Sequence, residues 1–110
     1  MSDRELVVYG RTTFCPYLSI AERVFEKHGL SPRIIMIDED ETALERVVAW
    51  TGFKSVPTMI MAKLGDDLPF EEPSPLEPGA SPKGIDRGSM ITEANAEQLE
   101  AWLRKHQVIS

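Results

Sequence analysis

The opening stretch of this chain leaves few folds available, because it reads as strand, helix, strand with short gaps between. Leu6-Val7-Val8-Tyr9, running on to Gly10, is an apolar run of strand length. Cys15 follows, and Pro16 opens a segment with Tyr17, Ile20, Ala21, Val24 and Phe25 at helical spacing, with Gly29 as its stop. Proline suits the first helical position, since the N–H it lacks would have no partner there. Arg33 to Asp38 carries Ile34-Ile35-Met36-Ile37, a second buried strand. Two strands joined through one crossover helix are expected to pair in parallel.

The rest extends this α/β pattern. Glu39, Asp40 and Glu41 open a second helix, where negative charge meets the positive end of the helix dipole. Its inner face is predicted at Leu44, Val47 and Val48, and its end at Gly52. Ser55-Val56-Pro57-Thr58 leads into a third strand, Met59-Ile60-Met61-Ala62, and Ser89 to Thr92 reads as a short fourth. Asn95 and Gln98 have capping-box spacing ahead of a last helix that buries Leu99, Trp102 and Leu103. Between the third and fourth strands, Leu64 to Arg87 holds five prolines and three glycines. That composition predicts a long, mobile surface loop inserted at 64–87, not a second domain. Within it Pro75-Leu76-Glu77-Pro78 fits a PxxP pattern but reads as solvated loop. Met36, Met59 and Met61 are expected in the core. His28 and His106 are expected at solvated helix ends, without metal-ligand spacing.

At 110 residues the chain is expected to form one domain, residues 1–110. A net charge of -6 argues against nucleic acid and anionic membranes as partners. No apolar run is long enough to span a bilayer, and Met1-Ser2-Asp3-Arg4-Glu5 leads straight into the first strand, without the pattern of a secretory signal. One cysteine cannot build a disulfide framework, so the expected location is the cytoplasm.

That one cysteine carries the chemistry. A lone cysteine is commonly a small buried hydrophobe. Cys15, however, sits at a strand-to-helix junction, where unpaired N–H groups stabilise a thiolate and raise the supply of nucleophile. It is predicted to be partly exposed. Pro57, at the start of a strand, is either an edge feature or a cis-proline.

Cys15-Pro16-Tyr17-Leu18, Ser55-Val56-Pro57-Thr58 and Ile37-Asp38-Glu39-Asp40, in this order of elements, resemble the thioredoxin-fold glutaredoxins over nearly the whole chain outside the Pro-rich loop. Ser89 to Leu103 is most similar to the mycoredoxin-type branch. The resemblance implies a mixed four-stranded sheet flanked by three helices, with Pro57 cis and beside Cys15. It further implies that the backbone at Val56 pairs with the cysteine portion of a bound thiol and that Tyr17 walls the thiol groove; Tyr17 also reads as a half-buried helix aromatic. Arg11 and Lys54 are candidates to pair with a carboxylate of a thiol tripeptide, or are ordinary surface charges.

The departures from the family are specific. Leu18 replaces the second, resolving cysteine, and Ser19 cannot substitute for it. Thr12 stands where many members carry a basic residue. The Gly-Gly-x-Asp site for a γ-glutamyl end is missing; Glu93, Ala94 and Asn95 lie there, where Glu93 repels a carboxylate and N–H groups near Asn95 attract one. The resulting expectation is a monothiol thiol–disulfide oxidoreductase with Cys15 as its catalytic residue. It would need no resident cofactor or metal, would use glutathione or another low-molecular-weight thiol as cosubstrate, and would act as a monomer on thiolated proteins. Two alternatives are an iron–sulfur cluster held between two protomers and a thioredoxin-fold protein that binds a partner without turnover.

Overall fold

A computed structural model describes residues 3–110 of the chain; the part of the N-terminal reading that concerns Met1 and Ser2 falls outside the described residues. Its central element is β1 (Arg4–Gly10), in which Val7, Val8 and Tyr9 have no exposed surface. Such a continuous apolar run suits a strand covered on both faces. β1 pairs in parallel with β2 (Arg33–Met36), Val8 opposite Ile34. It pairs antiparallel with β3 (Thr58–Lys63), Val8 opposite Met59, and β3 pairs antiparallel with β4 (Met90–Thr92). The sheet order is therefore β2-β1-β3-β4, the mixed four-stranded arrangement of a thioredoxin-like α/β fold.

The three helices are α1 (Pro16–Lys27), α2 (Glu41–Thr51) and α3 (Ala96–Lys105). Successive side chains on a strand point to opposite faces. A Cβ on Gly10 would meet Leu18 of α1 at 3.2 Å, while the neighbouring Tyr9 ring packs edge-on against Trp50 of α2, centroids 5.2 Å apart. Helices α1 and α2 thus cover opposite faces of the sheet, and α3 packs beside α1. Glu100 of α3 accepts from Lys27 at 3.0 Å and lies 2.7 Å from His28 Nε2, tying the two helices together.

Several expectations shift in detail. β2 ends at Met36, not Asp38, and is a half-exposed edge strand, because the sheet ends there and Ile34 faces solvent. Met36 shares that edge, whereas Met59 and Met61 are core. In α1 the buried set is Leu18, Ala21, Val24 and Phe25, with Tyr17 and Ile20 half-buried. The inner face of α2 is rotated from the expected one: Ala43, Val47 and Thr51 are buried, Leu44 is half-buried and Val48 is exposed. β4 begins at Met90. Neither histidine is a solvated end. His28 faces Glu100, and His106 packs on Trp102, with Nε2 donating to Gly88 O at 2.7 Å.

The Pro-rich segment, expected as a mobile loop, forms no helix or multi-residue strand, and hydrogen bonds tie it to the rest of the domain. Phe70 N donates to Met61 O at 2.8 Å, Ser89 Oγ to Glu71 O at 2.7 Å, and the Tyr9 hydroxyl to Asp67 O. Arg87, 6% exposed, closes the neck: Nε donates to Ser74 O at 2.7 Å and Nη1 to Trp50 O at 2.6 Å. Among the described residues no helix is long and apolar enough to cross a membrane.

Candidate functional site

Cys15 is the N-cap residue of α1, in extended conformation, and Pro16 begins the helix. The other two helices carry side-chain caps: Asp40 accepts from Ala43 N at 3.1 Å and Asn95 from Gln98 N at 2.8 Å. No side chain caps α1. The thiol occupies that place, so the positive end of α1 is directed to sulfur chemistry and not consumed by a cap. Contrary to expectation Cys15 is buried, at 6% exposure. The reason is the β3 approach: its Sγ rests against the chain at Val56 and donates to Val56 O at 3.5 Å. Cys15 nevertheless lines two openings. One is a groove of ≈ 550 Å³ and the other a smaller recess of ≈ 260 Å³ beside Thr13, Phe14 and Met36.

The groove gathers most of the residues expected to form the site. Arg11, Tyr17, Lys54 and Val56 line it together with Cys15. Arg11 is turned along its own loop, Nη2 donating to Phe14 O at 2.7 Å, and its Nε is buried without a partner. Lys54 is exposed at the rim and Tyr17 is half-buried in the wall. Pro57 is cis, buried behind Val56, and its carbonyl accepts from Glu93 N at 2.9 Å; it does not itself line the groove. The loop ahead of the cysteine is anchored by Asp38, whose carboxylate accepts from the Thr12 hydroxyl and from Thr12 N at 3.0 Å. The Thr12 hydroxyl, chiefly, holds the Asp38 carboxyl below its ordinary value. Thr12 therefore does structural work where a basic residue would otherwise reach the groove.

At the far end of the groove the capping box of α3 takes two of the N–H groups near Asn95: Gln98 Oε1 accepts from Asn95 N at 2.9 Å and Asn95 Oδ1 accepts from Gln98 N at 2.8 Å. Glu93 lines the groove there, at a positive φ of 47.

Sequence reasoning missed the opposite wall. Gly79, Ser81, Pro82 and Lys83, all from the Pro-rich segment, line the same groove as Cys15, as does Phe53. Lys83 Nζ lies 5.0 Å above the Tyr17 ring. The only available signal was charge: Lys83 is the one cation between Lys63 and Arg87, in a run that carries Asp66, Asp67, Glu71, Glu72 and Glu77.

The glutaredoxin family model matches residues 6–62. The match spans β1 to β3, taking in Cys15, Val56 and Pro57, and stops before the Pro-rich segment. No curated protein matches the chain.

Proposed function

The chain belongs to the glutaredoxin family, its model covering more than half of the sequence, and from that premise we propose that it is a monothiol thiol–disulfide oxidoreductase. The observation that carries the reading is the place of Cys15: at the uncapped N-terminus of α1, on a groove, with no second thiol in the chain. The Cys15 thiolate attacks the small-thiol sulfur of a mixed disulfide. The S–S bond of the substrate breaks, its protein thiol leaves as thiolate and takes a proton, and a new S–S bond joins Cys15 to the small thiol. A second molecule of small thiol attacks that adduct, freeing Cys15 and leaving as the symmetric disulfide. One free small thiol is consumed per turnover: it ends, with the small thiol taken from the substrate, as the symmetric disulfide, while the substrate cysteine is left reduced, and one cysteine suffices.

In this reading Cys15 is the catalytic residue, and Arg11, Tyr17, Lys54 and Val56 hold the small thiol, with Pro57 setting the Val56 backbone behind it. Val56 O accepts from the Cys15 thiol at 3.5 Å, which places the Val56 backbone beside the sulfur. The cosubstrate is glutathione or another low-molecular-weight thiol, the partners are thiolated proteins, and the protein works as a cytoplasmic monomer without a resident cofactor. Cluster binding gains less support from the donor set. Cys15 supplies one sulfur, and among the described residues no group of three His, Cys, Asp or Glu side chains is placed to hold a metal. Three of the four thiolates would have to come from outside the chain.

The test is reduction of a glutathionylated peptide by wild type and by Cys15→Ser, with mass spectrometry of the enzyme during turnover. A small-thiol adduct on Cys15 and loss of turnover in the variant are expected. Turnover surviving the substitution, or absent from the wild type, overturns the reading.

A further inference from the structure

Resting on the exchange reading of the groove, we infer that the inserted Pro-rich segment is part of the binding site. Lys83 is its specificity-determining residue, selecting low-molecular-weight thiols that carry a carboxylate. The match to the family ends at residue 62, so this wall lies outside the part of the chain that the family accounts for. Its position is fixed. Gly84 N donates to Thr92 O at 2.7 Å, and Lys83 forms a β-bridge with Thr92 beside the site. Gly84 has a φ of +71, and a Cβ there would meet the Gln98 side chain at 2.6 Å, so the segment is seated against the first turn of α3 at a place that favours glycine. Pro82 is buried. Lys83 then reaches back across the groove, its ammonium 5.0 Å over the Tyr17 ring.

The charge of the groove gives the chemistry. In a chain of net charge -6 its lining holds three cations, Arg11, Lys54 and Lys83, against one carboxylate, Glu93. Among the described residues none of the three is paired with a carboxylate within 4.0 Å. Unpaired cations on one concave surface attract an anionic ligand and speed its encounter. The capping box takes two of the α3 N-terminal N–H groups, and Lys83 is the cation that the Pro-rich wall offers to the groove.

The test separates charge from shape and binding from reaction. S-methylglutathione, which cannot exchange, is titrated calorimetrically. The rate of Cys15 disulfide formation is followed with anionic glutathione disulfide, neutral bis(2-hydroxyethyl) disulfide and cationic cystamine. Lys83→Ala should weaken S-methylglutathione binding and slow the glutathione disulfide reaction about three- to five-fold at low salt, with the neutral probe unchanged. Lys83→Arg should retain both, and Lys83→Glu should turn the preference toward cystamine. Absent or Lys83-independent binding of S-methylglutathione, or equal slowing with all three disulfides, overturns the inference. Lys83-dependent binding in a protein whose Cys15 reacts with none of the disulfides sinks the exchange reading and leaves the inference standing.

Discussion

Leu18 stands one helical turn after Cys15, and both side chains are buried beside the same recess. Its methyl groups fill the space that Gly10 leaves open at the end of β1. At the position where the resemblance places the family's second cysteine, Leu18 is a packing residue. Leu18→Cys should reverse that. The introduced thiol lies where it can attack a Cys15 adduct at high effective concentration. Mild oxidation should then remove two hydrogens from the protein, read by mass spectrometry with thiol counting. The reduced variant should be less stable by about 1–2 kcal/mol, since the smaller side chain leaves part of a buried volume empty. Pairing only between molecules would show that α1 does not present the two positions together. The place of Cys15 at the start of α1 was legible in the sequence because a Cys-Pro junction after a strand has a local signature. Its burial was not, since the chain that covers it, at Val56, arrives from a distant segment.

At the scale of elements, what was legible follows from whether periodicity alone decides the outcome. β1 and the βαβ order were readable because an apolar run and a helical repeat each have one solution. The inner face of α2 was not: Leu44 and Val48 are more apolar than Ala43 and Thr51, yet Ala43 and Thr51 are the ones buried, and the Thr51 hydroxyl is satisfied by Val47 O at 2.8 Å. The Pro-rich segment was opaque for a related reason, since the bonds that fasten it are largely to backbone carbonyls. Arg87 is the main fastener. Burial pulls its guanidinium down from the ordinary value, but the group remains charged and also sits at the C-terminal end of α2, where a cation is favoured. Arg87→Ala should cost about 2–3 kcal/mol and expose residues 64–87 to limited proteolysis. Arg87→Lys should not rescue it, lacking the fork that reaches Ser74 and Trp50 together. A variant as protease-resistant as wild type would show that the segment is held by other contacts. Asn95→Ala, which opens the capping box of α3, should lower the denaturation midpoint by an amount equivalent to about 1 kcal/mol. An unchanged midpoint would mean the cap is replaced by water.

For the whole molecule, the ionisable groups that tie distant parts of the chain together set how stability responds to acid. His106 joins α3 to the end of the Pro-rich segment through Gly88 and packs edge-on against Trp102, and burial, ahead of its other influences, lowers its proton affinity. The unfolded chain therefore takes up a proton near the ordinary histidine value of about 6.5, while the folded protein does so only at lower pH. Stability contributed by neutral His106 is complete above about pH 6.5 and declines as pH falls toward the folded value. A second group of ties is carboxylate. Asp67 is held low by its hydrogen bond from Arg33, Glu5 first by Gly65 N and then by Arg33, Asp38 by the Thr12 hydroxyl, and Glu100 by His28 and Lys27. These contributions are present above the ordinary carboxylate range of about 4 and are lost as pH drops below it, through the lowered folded values. The four ties join β1, β2 and the loop segments around them, and α1 to α3, so their loss acts on the architecture and not on one corner of it. The urea midpoint should fall in two steps on acidification, one starting near pH 6.5 and a steeper one below about pH 4. His106→Gln keeps a donor for Gly88 O and should abolish the first step while leaving the second. A midpoint flat between about pH 7 and 5 in the wild type, or a first step that survives His106→Gln, would remove His106 as its origin and place the loss of stability in the carboxylate ties alone.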